Sequence, residues 1–224
     1  MSDDPPAARE LAALRREYSD RGLTEHEAGH EPHALFDRWL REALDAHAGG
    51  LLAEPNAMAL ATVHPDGAPS VRVVLLKGLL DGAPVFYTNL ESVKGVDLVA
   101  DNRCAVTLLW HDLQRQVRFE GAAEPLPAEA SDAYFATRPR GSQLGAWASP
   151  QSRVVADRDE LVGAYEATAA RFAEPATVPR PPYWGGWRVV PHTVEFWQGR
   201  PGRMHDRIRF ARHQGSWTRQ RLAP

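Results

Sequence analysis

The sequence has one cysteine, Cys104, only two lysines, Lys77 and Lys94, and no apolar run approaching twenty residues. A single cysteine excludes an internal disulfide framework and a cysteine-based zinc site, and we predict no metal centre. The lack of a long apolar run excludes a transmembrane helix. The acidic start MSDDPPAARE also lacks the basic and apolar stretches of a secretory signal. We therefore expect a cytoplasmic protein with no membrane partner.

The sequence also lacks a large excess of either charge. Its 26 basic and 29 acidic residues give a formal net charge of −3, which leaves no electrostatic footprint for binding nucleic acid. Hydrophobic residues make up 43% and charged residues 25%, which is typical of a globular protein and argues against disorder. For a chain of 224 residues we expect a flexible segment at 1–30 and a single domain at 31–224.

Three common phosphate-binding and nucleophile motifs are absent. The sequence contains no G-x-G-x-x-G, no G-x-x-x-x-G-K-[ST] and no G-x-S-x-G, so it predicts neither a dinucleotide fold, a P-loop nor a nucleophile elbow. What remains is a set of basic and amide side chains scattered over predicted strands. Such a set suits a flat, polar, phosphorylated ligand better than a catalytic triad.

Periodicity of the apolar residues predicts mainly strands, with several helices between them. The helices are expected at 5–18, from Pro32 to the Gly49-Gly50 pair, and at 92–101, 127–137 and 157–172. RPRGSQLGAWASPQS is expected only to separate the last two helices. Strands are expected at 58–64, 70–80, 85–89, 104–110, 116–123, 187–197, 206–212 and 217–221. This order predicts a mainly β fold, an antiparallel barrel with added helices whose outer face pairs with a second copy.

Both lysines stand in contexts that favour an anionic ligand. In SVRVVLLKGLL, strand alternation places Arg72 on one face and Lys77 on the other, and each charge among aliphatic residues needs a partner. In YTNLESVKG, Ser92 opens a helix that carries Lys94, which resembles a small phosphate site. The alternatives are charges at strand ends that reach solvent, and an ordinary helix cap.

The C-terminal stretch EFWQGRPGRMHDRIRF gathers further cations. If it is extended, Arg203, His205 and Arg207 share one face, and the two arginines lower the pKa of the histidine unless an anion lies between them. The alternative is a solvated basic edge strand. The amide of Gln116, on another predicted strand, could pair with the edge of a heterocycle.

Taken together, these motifs resemble the pyridoxine/pyridoxamine 5'-phosphate oxidase family. They are RVVLLK, FYTN, the Ser-x-Lys helix start, RQV, RPRGSQLGAWAS, QS, PPYWGGWRV, EFWQG, R-M-H-D-R and RLAP. They occur in order from LRREY near the N-terminus to Pro224, so the resemblance covers almost the whole chain. It implies an FMN-binding split barrel that forms a homodimer with flavin sites between its subunits.

The resemblance also implies residue roles. FMN would be held by Arg72, Val73, Val74, Leu75, Leu76, Lys77, Tyr87, Thr88, Lys94, Gln116, Gln151, Ser152, Trp197 and Arg207. The substrate would be bound by Arg15, Arg16, Glu17, Tyr18, Lys77, Tyr134, Arg138 and Ser142. Arg203 and His205 would bind the reacting ring as catalytic residues. Val93 departs from the family, which commonly has a second basic residue there, and this removes one contact to the FMN phosphate.

The implied activity is the FMN-dependent oxidation of pyridoxamine or pyridoxine 5'-phosphate to pyridoxal 5'-phosphate, with O2 reduced to H2O2. Two alternatives remain at this point. One is a related split-barrel flavin oxidase that acts on a larger carboxylated ring, as phenazine-biosynthesis enzymes do. The other is a carrier of flavin or pyridoxal phosphate that has no turnover.

Overall fold

Nine antiparallel strands dominate the computed structural model, which describes residues 17–173 and 177–224. The strands are β1 Ala57–Val63, β2 Pro69–Leu75, β3 Gly78–Leu80, β4 Ala83–Asn89, β5 Arg103–Trp110, β6 Arg115–Pro125, β7 Trp184–Gln198, β8 Asp206–His213 and β9 Ser216–Leu222. The helices are α1 Glu25–Ala28, α2 Pro32–Ala48, α3 Val93–Ala100, α4 Ala128–Ala136, α5 Arg140–Ala148 and α6 Arg158–Arg171. No helix among these residues is long and apolar enough to cross a membrane.

The sheet curls into a half-barrel because one short stretch of chain forms hydrogen bonds near both ends of the sheet. The strand order is β2-β1-β5-β6-β7-β4-β3, with β8 added on β7 and β9 on β8. Only Leu76 and Lys77 separate the two end strands β2 and β3. Leu76 N donates to Asn56 O next to β1, whereas Lys77 N donates to Val85 O in β4, each at 2.8 Å. The backbone amides of Leu76 and Lys77 thus donate to carbonyl groups near opposite ends of the sheet. This closure confirms the predicted barrel architecture.

Helix α2 covers the inside of this half-barrel. Its apolar residues recur every three or four positions, so Phe36 and Trp39 fall on the same face and are fully buried. The Phe36 ring meets Phe119 edge-on at 4.9 Å, and Trp39 meets Phe196 edge-on at 5.4 Å. The buried area of these rings is the main stabilising contribution of the helix.

A bulge in β6 bends the long β6–β7 pair. The register shifts between Glu120 and Gly121, and a Cβ on Gly121 would lie 2.0 Å from Val190 O. Only glycine therefore permits this backbone approach. The bend brings the start of β7 towards α4 and α5, where the largest cavity lies.

Most predicted elements are confirmed to within a few residues, but three expectations are wrong. The single strand at 70–80 is broken at Leu76 and Lys77, because the chain changes partner strands there. RPRGSQLGAWASPQS contains helix α5, which begins after Pro139. Arg203 lies in a 3-10 turn with φ +61°, so it does not share an extended row with Arg207.

Two further expectations concern the N-terminus. Nearly all of the helix predicted at 5–18 lies outside the described residues, and 17–18 are not helical. Leu23 and Ala28 are buried in the main core, so part of the segment 1–30 packs on the barrel. The division into 1–30 and 31–224 stays a prediction.

Candidate active site

The largest cavity, of about 440 Å³, gathers most of the residues predicted from the first two thirds of the chain. It lies between the β2–β3 hinge, the end of β4, the start of α3 and helices α4 and α5. The predicted residues that line it are Val73, Val74, Leu75, Lys77, Tyr87, Thr88, Lys94, Tyr134, Arg138, Ser142 and Gln151.

The cavity carries a one-sided charge. Lys77, Lys94 and Arg138 line it, and no aspartate or glutamate is among the described lining residues. Because a cleft lined by one sign of charge concentrates ions of the other sign, this cavity favours a ligand with several negative charges. Both lysines of the chain are therefore in the same place, which supports their prediction as functional residues.

One end of the cavity is built as an anion site. Ser92 caps helix α3 by accepting a hydrogen bond from Gly95 N. Lys94 Nζ donates to Gln151 Oε1 at 2.8 Å, to Thr88 Oγ1 at 3.2 Å and to Ser92 Oγ at 3.3 Å. Burial and the nearby Arg72 guanidinium lower the pKa of Lys94. An ammonium with only neutral partners at a helix N-terminus fits a phosphate group.

The other end of the cavity is an aromatic wall with a cation on it. The rings of Tyr87 and Tyr134 are stacked at 4.0 Å, and Trp184 is parallel to both. The Arg138 guanidinium lies 4.8 Å from the Trp184 ring centre, and burial lowers the pKa of Arg138. Its Nη1 is buried and has no hydrogen-bond partner within the described chain. An unpaired buried donor indicates that a second anion belongs here.

A second group of predicted residues forms a separate cluster on β6, β7, β8 and the turn before β8. Gln116, Trp197 and Arg207 are register neighbours across these three strands. The His205 ring centre lies 4.6 Å from that of Trp197, and Tyr18 meets both rings edge-on. None of these residues lines the large cavity. The described protomer therefore holds the predicted residues in two separate places, the cavity and this Trp197 cluster.

Arg207 and His205 in the Trp197 cluster have pKa shifts in opposite directions. Arg207 Nε donates to Glu195 Oε1 at 2.8 Å, and this bond raises the pKa of Arg207. His205 Nδ1 accepts a hydrogen bond from Arg200 N, and burial together with Arg203 lowers the pKa of His205. The lowered pKa of His205 agrees with the direction predicted from the sequence. Arg203 is exposed at the tip of its turn.

Several other predicted residues lie outside the large cavity. Leu76 is in the core, 5% exposed, so its side chain does not reach the cavity. Ser152 lies in the next, shallower cavity together with His64. Arg72 is half-buried behind Lys94, and Glu17 is exposed. Arg15 and Arg16 lie outside the described residues.

Trp184 and Asp97 are site features that the sequence reasoning missed. Trp184 lies in the PPYWGGWRV motif, which was used only for the resemblance, and it packs against both tyrosines. Asp97 is buried below Arg72 and His64. A carboxylate on the apolar face of a predicted helix was the available signal.

The peptide His26-Glu-Ala-Gly-His30 has the spacing of the zinc motif H-E-x-x-H, which the prediction of no metal site did not take into account. That motif works on a continuous helix. Here α1 ends at Ala28 and Gly29 has φ +70°, so the two histidines are not on successive turns of a helix. No group of three or more His, Cys, Asp or Glu able to hold a metal occurs among residues 17–173 and 177–224.

Comparison with known proteins agrees with this arrangement. Residues 44–172 match the family model described as pyridoxamine 5'-phosphate oxidase, and 184–224 match the pyridoxine 5'-phosphate oxidase C-terminal dimerisation region. A pyridoxine/pyridoxamine 5'-phosphate oxidase of Nocardioides is 53% identical over 96% of this chain and 98% of its own. The corresponding protein of Rubrobacter xylanophilus is 53% identical over 97% and 98%.

Solved structures give the same picture of the fold. PhzG from Burkholderia lata, determined with tetrahydrophenazine-1-carboxylic acid, has a TM-score of 0.84 at 31% identity and covers 92% of this chain and 100% of that one. An FMN-binding protein of Nostoc punctiforme, 19% identical over 84% and 97%, has a TM-score of 0.67 and supports the split-barrel fold alone. The chain belongs to the pyridoxine/pyridoxamine 5'-phosphate oxidase family.

Proposed function

We propose that the protein is an FMN-dependent oxidase that converts pyridoxamine 5'-phosphate or pyridoxine 5'-phosphate to pyridoxal 5'-phosphate. The observation that carries this is the acid-free cavity with cations at both ends, one of them the unpaired Arg138. Two phosphate-bearing ligands, a cofactor and a substrate, account for both ends. The family relationship supports the same assignment.

The residues at the Lys94 end fit FMN. Lys94, Thr88, Gln151 and the capped start of α3 supply donors for its phosphate, with Arg72 as a second cation. Val73, Val74 and Leu75 line the same cavity and provide an apolar edge for a ring system. When bound, FMN supplies an acceptor for two electrons, which are passed on to O2.

The residues at the Arg138 end fit the substrate phosphate. Arg138 and Lys77 provide charge, Tyr134 and Ser142 provide hydroxyl groups, and all four line the cavity. Binding the phosphate fixes the distance and orientation of the reacting carbon, which is what a hydride transfer needs most. The amine substrate, O2 and water give the aldehyde, ammonia and H2O2, whereas the alcohol substrate and O2 give the aldehyde and H2O2.

The second half of the site, the Trp197 cluster, is contributed by the partner in a homodimer. The dimerisation-region match covers Trp197, Arg203, His205 and Arg207. On the outer face of the sheet, Val71 and Val73 are each 68% exposed and Leu109 is 59% exposed. Such an apolar face is stabilised when a second copy covers it. Dimerisation would place the Trp197 cluster of one protomer over the cavity of its partner.

In that arrangement Arg203 and His205 bind the reacting ring. Arg203 presents an unshielded guanidinium that can donate hydrogen bonds to the ring substituents. The lowered pKa of His205 favours the neutral imidazole, and because Nδ1 accepts a hydrogen bond from Arg200 N, the Nε2–H group is the donor left for the ring substituents. Arg207, Gln116 and Trp197 would hold the flavin ring, and the Arg207 charge would favour negative charge on it. Tyr18 and Glu17 would cover the substrate, whereas Arg15 and Arg16 stay predicted contacts outside the described residues.

Peroxide formation tests this function. The protein, loaded with FMN, is expected to release one H2O2 for each pyridoxal 5'-phosphate formed, and to turn over unphosphorylated pyridoxamine far less efficiently. Flavin binding without peroxide from either phosphorylated vitamer would contradict the proposal and favour a carrier. Turnover only with a larger carboxylated ring would favour the activity suggested by the PhzG likeness.

A further inference from the structure

A buried carboxylate lies behind the cofactor end of the cavity. Asp97, on helix α3, is 1% exposed. Its Oδ1 accepts a hydrogen bond from His64 Nδ1 at 2.6 Å, and its Oδ2 accepts one from Thr62 Oγ1 at 2.7 Å. Burying a carboxylate costs free energy unless its oxygens are hydrogen-bonded or paired with a cation. A buried and fully bonded Asp97 therefore indicates a role other than packing.

The Asp97 network leads directly to a cation of the proposed FMN site. Arg72 Nη1 donates to Thr62 Oγ1 at 2.6 Å, so Thr62 passes a hydrogen bond from Arg72 to the carboxylate. Arg72 Nη2 lies 3.6 Å from Asp97 Oδ2 and donates to Ser70 Oγ at 2.7 Å. Strands β1 and β2 and helix α3 thus all constrain one guanidinium.

Arg72 and Lys94 are both cations and repel each other, so the Arg72 guanidinium stays beside Lys94 only if another group holds it there. Lys94 and Asp97 are three residues apart on α3 and so lie on the same side of the helix, and Arg72 Nη2 is 3.6 Å from Asp97, which brings the two cations close together. Burial and Arg72 lower the pKa of Lys94, in agreement with this placement. Burial also lowers the pKa of Arg72, and the Asp97 charge opposes that effect. A single carboxylate therefore holds the Arg72 charge behind Lys94, which itself lines the cavity.

We propose that Asp97 is a positioning residue for the cofactor phosphate, which through Thr62 holds the Arg72 guanidinium beside Lys94. The inference rests on the proposed FMN-dependent function. It also gives this chain a way to keep a second cation at the phosphate although Val93 supplies none. Asp97 touches neither the cofactor nor the substrate, and acts only through Arg72.

The test compares FMN with riboflavin, which has the same ring and no phosphate. Thr62→Val removes the connecting hydroxyl without changing charge, and Asp97→Asn removes the carboxylate charge at nearly constant shape. Each variant is expected to raise the Kd of FMN about tenfold and to leave the Kd of riboflavin unchanged. Asp101→Asn, at the residue that caps the C-terminal end of α3, is the matched control and should bind both flavins as the parent does. Flavin fluorescence quenching gives both constants without any turnover.

Three results would overturn the inference and leave the proposed function in place. An unchanged FMN Kd in both variants would mean that Asp97 does not position Arg72. Tighter FMN binding by Asp97→Asn would mean that the carboxylate acts only by repelling the phosphate. An equal loss of FMN and riboflavin would indicate a general structural role. A parent protein that binds neither flavin would overturn the proposed function itself, together with this inference.

Discussion

At the scale of single residues, Arg138 is the most informative side chain, because its Nη1 is buried in the cavity and has no hydrogen-bond partner among residues 17–173 and 177–224. Arg138→Met keeps the stem against Trp184 and removes the charge. We expect the KM for pyridoxamine 5'-phosphate to rise by about ten- to a hundredfold, since a charge-assisted phosphate contact is lost. FMN affinity should stay the same. Steady-state kinetics and flavin titration check both, and an unchanged KM would remove Arg138 from the substrate site.

Arg203 and Arg207 are close in sequence, but Arg203 lies in an exposed turn and Arg207 lies on β8, and we propose different roles for them. Arg203→Met should keep FMN binding and lose most of kcat/KM, because orientation of the reacting ring acts at the transition state. Arg207→Met should instead change FMN affinity or the flavin spectrum, since Arg207 is fixed beside Trp197 by Glu195. If both are exposed edge charges with little effect, the Arg203 variant will retain near-normal kcat/KM.

At the scale of elements, helix α3 carries the cofactor end of the cavity. Lys94→Ala should weaken FMN binding by about 1.5–3 kcal/mol and affect the chemistry of the flavin-saturated enzyme much less. Val93 offers no replacement charge, so the upper part of that range is expected. Equilibrium titration with FMN is the measurement, and a Kd equal to that of the parent would contradict the assignment.

The α2–β6 contact supports the barrel and predicts an acid effect. Arg115, 2% exposed, donates to Glu42 Oε2 at 2.8 Å, and the arginine lowers the pKa of Glu42 despite partial burial. A lowered folded-state pKa stabilises the protein above the unfolded pKa of about 4.5 and loses that effect as pH falls. Glu42→Gln should therefore cost about 1–3 kcal/mol at pH 7 and less below pH 4. Urea unfolding at both pH values, with the exposed Asp45→Asn as control, checks this.

The sequence predicted the helices and strands better than the connections between them, because periodicity and caps are local signals whereas connections depend on distant strands. Apolar periodicity located α2, and the Ser92 cap located α3. The break at Leu76 and Lys77 has no local signal, because it depends on which distant strands the chain pairs with. Helix α5 contains two glycines and begins beside prolines, so its local propensity was weak. Among site residues, the resemblance predicted Lys94 and Arg138. It did not predict Asp97, because the contacts of Asp97 join helix α3 to two strands, β1 and β2, that lie far from it in the sequence.

At the scale of the whole molecule, one protomer holds the cavity and the Trp197 cluster in separate places. We expect a yellow dimer with about one FMN per chain, since in the proposed dimer each cavity is completed by one partner. Absorbance at the flavin maximum, together with light scattering, gives both quantities. A monomer that takes up FMN with full affinity would show that the cavity needs no partner.

Activity of mixed dimers tests the central claim most directly, namely that the cavity of one protomer and the Trp197 cluster of its partner form one oxidase site. One parent carries Lys77→Met and Arg138→Met, and the other carries Arg203→Met. Each alone should be nearly inactive. Co-expressed in equal amounts, half of the dimers are mixed and each has one intact site, so about a quarter of the wild-type peroxide rate should return. A rate no higher than that of the inactive parents would contradict the account.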